Sequence, residues 1–237
     1  MKQFTPLDSQ SQRIKIQSNR VFSNILVKPN SANCNLHCTY CFYHNRPTDP
    51  YGHDGGRHVM DDVTLRALIK QGMHIMAPAS SFSWQGGEPL LSGIDFFRRV
   101  VEYQQVFGQS GHTVSNSVQT NGTLINNEWA KLFAQYHFLL GISLDGPQEL
   151  HDHYRVTVGG EGTYDLVHYG IGYLRRNNVE FNILSVVNRV TGDYPSEIWR
   201  YMCQQGFGFL QFIPCVERDP VTGKLTDFSV LPQQFGD

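Results

Sequence analysis

Hydrophobic residues alternate along the chain between two periodicities. Short runs of apolar and β-branched residues, each closed by Gly, Pro or Asn, predict strands. The predicted strands cover residues 21–27, 81–85, 113–118, 138–144, 179–187 and 207–213. Between these runs, apolar residues recur at i, i+3 and i+4, the pattern of an amphipathic helix. The predicted helices begin at Asp61-Asp62, Ile94, Asn126, Thr163 and Pro195, and a last one begins near Leu231. Asp61-Asp62, Asn126 and Thr163 are expected to cap their helices.

Six strand–helix alternations predict an α/β fold with a parallel sheet and helices outside it. Such units curl into a barrel or stay open, and six of them fall short of a closed eight-stranded barrel. Residues 1–20 are polar and are expected to form a flexible N-terminal arm, so residues 21–237 form one domain. In either arrangement the functional loops follow the carboxyl ends of the strands. The chemically suggestive residues lie in those loops.

Composition excludes several classes of protein. Nineteen basic and 21 acidic residues give a net charge of −2, so no basic excess points to nucleic acid or to a membrane surface. No apolar run approaches the roughly 18 residues that span a bilayer, and the polar start lacks a signal-peptide core. A cytoplasmic protein is therefore expected. Five cysteines are too few for a disulfide scaffold, so clustered ones indicate metal or redox ligands.

Three of the cysteines are clustered directly after the first predicted strand. Cys34, Cys38 and Cys41 have the spacing C-x3-C-x2-C. Three thiolates can bind three irons of a 4Fe-4S cluster and leave the fourth iron open to a small molecule with an amine and a carboxylate. The alternative is a zinc site, in which His37 or His44 would supply the fourth ligand.

The cysteine motif and several other segments together resemble the radical S-adenosylmethionine superfamily. These segments are KPNSANCNLHCTYCFYH, FSWQGGEPLLSG, SVQTNGTLIN, LLGISLDGPQELHDHYR, VEFNIL and FLQFIPCVE. Within the superfamily they look like the anaerobic sulfatase-maturating enzymes. The resemblance implies a partial (β/α)6 TIM-like barrel of the radical SAM type. It also implies a 4Fe-4S cluster on Cys34, Cys38 and Cys41, with S-adenosylmethionine as the second cofactor.

The resemblance further implies which residues hold S-adenosylmethionine. The turn from Gln85 through Gly87 to Glu88 would hold the amino group of the methionine moiety, with a backbone carbonyl and the Glu88 carboxylate as acceptors. Ser143 would contact the cofactor, and Arg155 would pair with its carboxylate, a task that suits the guanidinium fork. Without the resemblance, Arg155 could equally be a solvated surface charge.

Aromatic and aliphatic positions complete the implied cofactor site. Tyr40 would pack the adenine, Tyr43 would face adenine or substrate, and Val216 would lie against adenine. Alternatively, both tyrosines shield the cluster, because a dry shell tunes its potential. Gln119 and Asn121 project from the end of the third strand and are expected to line the same pocket.

The remaining histidines and cysteines are interpreted as structural. Adjacent residues on a loop rarely converge on one ion, so His151-Asp152-His153 is expected to be structural or on the surface. Cys203 lies in a helical pattern and is expected to be a small core residue. Cys215 follows the sixth strand at the pocket mouth. We expect it to be buried and inert, with a redox-active thiol as the alternative.

The function implied is oxidation of a sulfatase. A 5′-deoxyadenosyl radical would remove a Cβ hydrogen from a Cys or Ser of a sulfatase polypeptide, and loss of a second electron and hydrolysis would give formylglycine. A flavodoxin- or ferredoxin-like protein would donate electrons. The alternatives are another peptide-modifying radical SAM enzyme and a truncated binding module without turnover.

One part of the resembling family has no counterpart in this sequence. The family continues into a cysteine-rich C-terminal domain that carries auxiliary clusters and its proposed catalytic Asp. No cysteine follows Cys215, so that auxiliary-cluster domain is taken as absent. The proposed catalytic Asp is accordingly expected to lie beyond Asp237, and no residue of this sequence is assigned a catalytic role.

Overall fold

The computed structural model describes residues 22–43, 59–219 and 221–236. Six parallel strands form one sheet in the order β1-β2-β3-β4-β5-β6. The strands are β1 (Asn24–Val27), β2 (Ala79–Trp84), β3 (Thr113–Thr120), β4 (Leu139–Ser143), β5 (Phe181–Val187) and β6 (Leu210–Pro214). The predicted α/β class and the six strand–helix units are confirmed.

Three of the sequence-based expectations fall outside the described residues. They concern the flexible arm at residues 1–20, His44 as a fourth zinc ligand, and the chain end at Asp237. The expectation that the catalytic Asp lies beyond Asp237 therefore stays a prediction, as does the absence of the auxiliary-cluster domain. No residue among those described is assigned as the catalytic base in its place.

Helices connect successive strands. They are α1 (Asp62–Ile75), α2 (Ile94–Phe107), α3 (Asn127–Gln135), α4 (Gln148–Asp152), α5 (Tyr164–Arg176), α6 (Pro195–Gln204) and α7 (Pro232–Gly236). Two short 3-10 turns at Pro89–Ser92 and Thr191–Asp193 and the short helix α4 carry no clear periodicity, and the sequence did not predict them. None of the described helices has both the length and the apolar character needed to cross a bilayer.

The core lies between the sheet and the helices. Alternate residues of β2, including Phe82 and Trp84, are fully buried and pack with Phe97 of α2. The Trp84 and Phe97 rings meet edge to face with centroids 5.8 Å apart. Such aromatic pairs contribute about 0.5–1.5 kcal/mol beyond their burial. The core therefore fixes the strands whose carboxyl ends carry the chemically active loops.

Helix caps agree with the sequence at two positions and differ at a third. The Asp61 and Asn126 side chains accept backbone N–H bonds at the starts of α1 and α3, as predicted. Thr163 precedes α5, but its side chain does not cap the helix. The cap is Asp152, whose Oδ1 accepts from the N–H groups of Thr163 (2.7 Å) and Tyr164 (2.8 Å). The Thr163 hydroxyl instead donates to a carbonyl of the preceding loop, so a distant carboxylate replaces the local cap.

The predicted burial of Cys203 is wrong. Its thiol is exposed on α6, whose buried residues are Ile198, Tyr201 and Met202. Position 203 lies one residue beyond the buried face, and adjacent helical residues point about 100° apart.

Candidate functional site

The carboxyl ends of the strands surround a cavity of about 410 Å³. Loops that are far apart in sequence meet here because all six strands run in the same direction. The three clustered cysteines and most of the predicted cofactor-binding residues line this cavity. These lining residues are Cys34, Cys38, Cys41, Tyr40, Tyr43, Gln85, Gly87, Ser143, Arg155 and Val216. Gln119, Asn121 and Cys215 line it too, as expected.

The cysteine loop is anchored to the segment that follows α4. The N–H of His37 donates to the Val156 carbonyl (2.8 Å), and the N–H of Thr39 donates to the Tyr154 carbonyl (3.0 Å). Leu36 forms an antiparallel bridge with Thr157 in the same segment. These backbone bonds hold the loop on both sides of Cys38, so the spacing of the three thiols is fixed by residues more than 100 positions away.

A second anchor joins the cysteine loop to the end of β3. Asn121 Nδ2 donates to Asn35 Oδ1 (2.9 Å), and Asn35 Nδ2 donates to Thr123 Oγ1 (2.9 Å). The same Asn121 amide contacts Cys34 Sγ at 3.7 Å. The N–H of Leu36 also donates to Cys34 Sγ, at 3.4 Å. Donors directed at sulfur stabilise a thiolate, the form that binds metal.

Burial has the opposite effect on these thiols in the protein without metal. Burial raises the pKa of Cys34 to about 11, and burial also raises the pKa of Cys38 despite the nearby Arg155 cation. Both thiols are therefore protonated near neutral pH. Metal binding must release their protons, as it does in thiolate sites generally.

The donor set fits an iron–sulfur cluster better than a single ion. Within the described part of the chain, no group of three or more His, Cys, Asp or Glu side chains could hold one metal ion. The zinc site with His37 as fourth ligand therefore gains no support, because zinc needs its ligands around one point, and the form with His44 lies outside the described residues. In a 4Fe-4S cluster each thiolate binds its own iron, so Cys34, Cys38 and Cys41 can ligate it from one loop around the cavity.

The turn after β2 touches the cysteine loop at Gly87. A Cβ at this position would lie 2.1 Å from the Asn33 carbonyl oxygen, and Gly87 has a φ of +50°. The next residue, Glu88, donates its backbone N–H to the same carbonyl at 2.7 Å. Only glycine permits this approach, because it lacks a Cβ and adopts positive φ without strain. The GGEP turn therefore supports the loop that carries Cys34.

Glu88 differs from its predicted position. It is fully buried and is not among the residues that line the cavity. Its Oε1 accepts from Leu90 N (2.9 Å) and Thr120 Oγ1 (2.8 Å), and its Oε2 accepts from Asn121 N (2.8 Å). Burial raises the pKa of Glu88 to about 7, although the three hydrogen bonds oppose the shift. In this structure the carboxylate joins the turns after β2 and β3 behind the cavity wall.

Asp145, at the end of β4, organises the opposite wall. It is fully buried and pairs with Arg155 through two bonds, from Nε (2.9 Å) and from Nη2 (3.1 Å). It also accepts from Tyr40 Oη (2.5 Å) and from Val186 N (2.9 Å). One carboxylate thus connects the cysteine loop, β4, β5 and Arg155. Arg155 is 7% exposed, which excludes the solvated surface charge.

Other predicted residues are distributed around this centre. Tyr43 lies beneath the Lys28 ammonium, 5.1 Å from the ring centroid to Nζ. Val216 is 59% exposed at the mouth of the cavity. Cys215 is buried, as predicted, and burial raises the pKa of its thiol to about 11. A neutral thiol at physiological pH is a weak nucleophile.

The histidine-rich segment is structural, as predicted. His151 is fully buried, its Nδ1 accepts from Asp145 N (3.3 Å), and its Nε2 lies 3.0 Å from Thr163 Oγ1. Burial lowers the pKa of His151 to about 4, so the ring is neutral at physiological pH. Asp152 caps α5. This segment therefore holds the backbone of Asp145 in place through the bond to His151.

Two features of the site escaped the sequence analysis. One is the role of Asp145, to which the sequence analysis assigned no function. The other is the anchoring of the cysteine loop by residues 154–157. The sequence offered one indication of the role of Asp145. A charged residue directly after an apolar strand is rarely buried without a partner of opposite charge, and Arg155 follows ten residues later.

Curated relatives match most of this chain. The cysteine-type anaerobic sulfatase-maturating enzyme of Clostridium novyi (strain NT) is 41% identical over 202 residues, which are 84% of this chain and 52% of that enzyme. The serine-type anaerobic sulfatase-maturating enzyme of Bacteroides thetaiotaomicron is 35% identical over 227 residues, which are 90% of this chain and 54% of that enzyme. The chain thus spans about half the length of these relatives.

Solved structures and a family model agree with this similarity. A structure described as native anSMEcpe with bound AdoMet and Cp18Cys peptide superposes with a TM-score of 0.81 at 36% identity, covering 90% of this chain and 56% of that one. The sequence model of the Radical SAM superfamily matches residues 31–201, which contain all three clustered cysteines. Because that match covers more than half of the chain, the protein belongs to the radical SAM superfamily, whose members bind a 4Fe-4S cluster and S-adenosylmethionine.

Proposed function

We propose that this chain carries the cofactor-binding portion of an anaerobic sulfatase-maturating enzyme, which oxidises a Cys or Ser of a sulfatase polypeptide to formylglycine. One observation carries the proposal. All three clustered cysteines and seven of the eight predicted cofactor-binding residues line a single cavity, although they come from five different loops. The identity to both cysteine-type and serine-type relatives supports the substrate class but does not favour one target residue over the other.

Within this proposal each residue has a task of binding or orientation. Cys34, Cys38 and Cys41 hold the cluster. Backbone carbonyls of the turn at Gln85 and Gly87 accept from the amino group of S-adenosylmethionine, while Tyr40 and Val216 border the adenine. Tyr43 faces adenine or substrate, and Ser143 donates a hydrogen bond to the cofactor. These assignments follow the family resemblance, and the placement of all these residues around one cavity supports them.

Arg155 and Glu88 need a revised description. Asp145 already engages Nε and Nη2 of Arg155, so an attraction between this cation and the cofactor carboxylate would be shared with Asp145. Glu88 contributes from behind the wall, by holding the backbone of the turns that follow β2 and β3. We propose that both act on the cofactor chiefly by keeping the cavity walls in place.

Cys34, Cys38 and Cys41 would hold the cluster, which together with S-adenosylmethionine would supply the radical chemistry needed to remove a hydrogen from the substrate. The protein orients the ligand and excludes water from the cavity. The aromatic side chains Tyr40 and Tyr43 on the cavity wall suit this exclusion. A flavodoxin- or ferredoxin-like donor and a cytoplasmic location are part of the proposal, because the loop thiols must stay reduced to bind iron.

Anaerobic reconstitution with iron, sulfide, dithionite and S-adenosylmethionine tests the proposal. The parent protein should release 5′-deoxyadenosine, and Cys38→Ala should not. Cys203→Ala is the matched control, because this cysteine is exposed and away from the cavity; it should behave like the parent. Equal release by the Cys38→Ala variant and the parent would refute the cluster assignment.

Mass spectrometry of the substrate decides the reaction. A sulfatase peptide with the target Cys or Ser should gain an aldehyde after incubation with the reconstituted protein. Modification of a different peptide would support another peptide-modifying radical SAM enzyme instead. Release of 5′-deoxyadenosine without any peptide product would show that this chain alone holds the cofactor chemistry but not the complete substrate site.

A further inference from the structure

Two glutamines form the floor of the cofactor cavity. Gln85 directly follows β2 and Gln119 lies near the end of the neighbouring β3, each two residues beyond the paired Ser83 and Ser117. Both line the upper cavity and a second cavity of about 270 Å³ beneath it. Polar side chains lining the lower cavity are Ser83, Ser117, Asn182 and Gln211. The side-chain amides of Gln85 and Gln119 therefore have a cavity on either side, and only specific contacts can fix their orientation.

Gln119 has such a support on the neighbouring strand. Its register partner on β4 is Gly141. A Cβ at position 141 would lie 2.1 Å from Gln119 Oε1, 3.1 Å from its Cδ and 3.0 Å from Leu184 Cδ1, so the amide carbonyl makes the tightest contact in the space that any other residue would fill. Gly141 has no positive φ that would otherwise require glycine. The missing side chain at this position therefore serves to admit the Gln119 amide.

The other end of the amide reaches a residue of the cofactor cavity. Gln119 Nε2 donates to Ser143 Oγ at 3.2 Å. The Ser143 hydroxyl oxygen then accepts this bond, and its own hydrogen is left to donate elsewhere. Ser143 lies on the cavity wall. The amide thus selects between the two hydrogen-bonding roles of the serine and leaves it as a donor.

We propose that Gln119 is a positioning residue for S-adenosylmethionine. Seated in the notch at Gly141, it holds Ser143 as a hydrogen-bond donor toward an oxygen of the bound nucleoside or amino acid moiety. This inference rests on the proposed function, in which Ser143 contacts the cofactor. It adds that a residue on the adjacent strand determines the direction of that contact.

Gln119→Glu is the most direct test, because it preserves size but replaces the donor amide with an acceptor. The Ser143 hydroxyl should then donate to the carboxylate and be lost to the cofactor. Equilibrium binding of S-adenosylmethionine to the reconstituted protein should weaken by roughly tenfold, the effect of losing one hydrogen bond. KM for S-adenosylmethionine in 5′-deoxyadenosine release should rise in parallel, with kcat changed less than about twofold.

Two further variants separate positioning from a general structural role. Gly141→Ala should displace the amide and weaken binding in the same direction without changing any polar group. Ser117 lies two residues earlier on the same face of β3, and its hydroxyl contacts Ser83 and does not line the cofactor cavity. Ser117→Ala should therefore bind S-adenosylmethionine like the parent. Thermal unfolding of each variant establishes that it is folded.

A double-mutant cycle completes the test. In a Ser143→Ala background, Gln119→Glu should weaken binding little further, because the hydroxyl it controls is gone. Parent-like binding by Gln119→Glu, or an undiminished loss in the Ser143→Ala background, would overturn the inference. A parent protein that fails to bind S-adenosylmethionine at all would instead overturn the proposed function, so the two failures can be told apart.

Discussion

Replacement of Asp145 by Asn should destabilise the protein strongly without changing the size of the side chain. Asp145 is fully buried and accepts four hydrogen bonds: one from Tyr40, two from Arg155 and one from the Val186 amide. The Asn amide can accept at only one of its two ends, and it carries no charge. Arg155, itself 7% exposed, would remain as a buried cation without a counter-ion.

The expected loss follows from the burial of this pair. Removing one partner of a buried ion pair costs about 3–5 kcal/mol, because the remaining charge is left uncompensated in a medium of low polarity. For a protein of this length each kcal/mol corresponds to about 2–4 °C, so Tm should fall by roughly 6–20 °C. The free energy of unfolding from urea titration should fall by the corresponding amount, with an unchanged dependence on denaturant concentration.

An exposed ion pair provides the matched control. Asp95 pairs with Arg98 at 2.7 Å, but their side chains are 76% and 50% exposed. The same Asp→Asn change at Asp95 should cost less than about 1 kcal/mol, as surface pairs usually do. A second variant, Asp145→Asn with Arg155→Met, removes the unpaired cation and should recover part of the lost stability.

Two results would refute this reasoning. One is a loss below about 1 kcal/mol for Asp145→Asn, which would mean that Arg155 finds solvent or another partner. The other is a double variant no more stable than the single one, which would mean that the cation is not the source of the cost. Both results are measured by thermal unfolding followed by circular dichroism.

Three other substitutions test separate parts of the site. Burial raises the folded-state pKa of Glu88 from 4.5 to about 7, so the unfolded chain releases this proton at lower pH than the folded protein does. The parent protein without cluster should therefore lose about 3 kcal/mol of stability as pH rises from 4.5 to 7. Glu88→Gln should reduce this pH dependence of the free energy of unfolding, measured by urea titration at pH 5–8. Gly87→Ala should lower stability by about 1–3 kcal/mol and reduce the iron bound per chain after reconstitution, because its Cβ would strike the backbone of the cysteine loop. Asp152→Ala removes the cap of α5 and should cost about 1–2 kcal/mol, lowering Tm by roughly 2–8 °C.

Each of these substitutions has a distinguishing outcome. Equal pH slopes for Glu88→Gln and the parent would assign the pH dependence to other groups. Gly93→Ala is the control for Gly87→Ala, because Gly93 also has positive φ but open space around it, and it should keep its iron. If both glycine variants lose iron alike, backbone strain and not the contact with the cysteine loop is responsible. For Asp152, the exposed Glu149 on the same helix is the control, and an equal loss on Glu149→Ala would contradict the capping role.

The sequence by itself determined the order and type of the main elements and predicted which three cysteines hold the cluster. Strand and helix periodicity, and caps such as Asp61 and Asn126, depend on neighbours a few residues away, so they can be predicted without knowing the tertiary structure. The cysteine spacing is equally local. The correspondence of five loops with the ends of strands also followed from the sequence, because parallel strands bring their carboxyl ends to one edge.

Only the tertiary structure decided which partners the polar side chains take. Tyr40 and Asp145 are 105 positions apart, and the Asp152 side chain replaces a local cap at α5 from a preceding helix. Glu88 was predicted to bind the cofactor because it belongs to the GGEP turn, but its carboxylate accepts the N–H of Asn121 in the turn behind the cavity wall. A buried charge or donor must be satisfied by whatever group the packed chain places beside it, and that neighbour is set by the fold rather than by distance along the sequence.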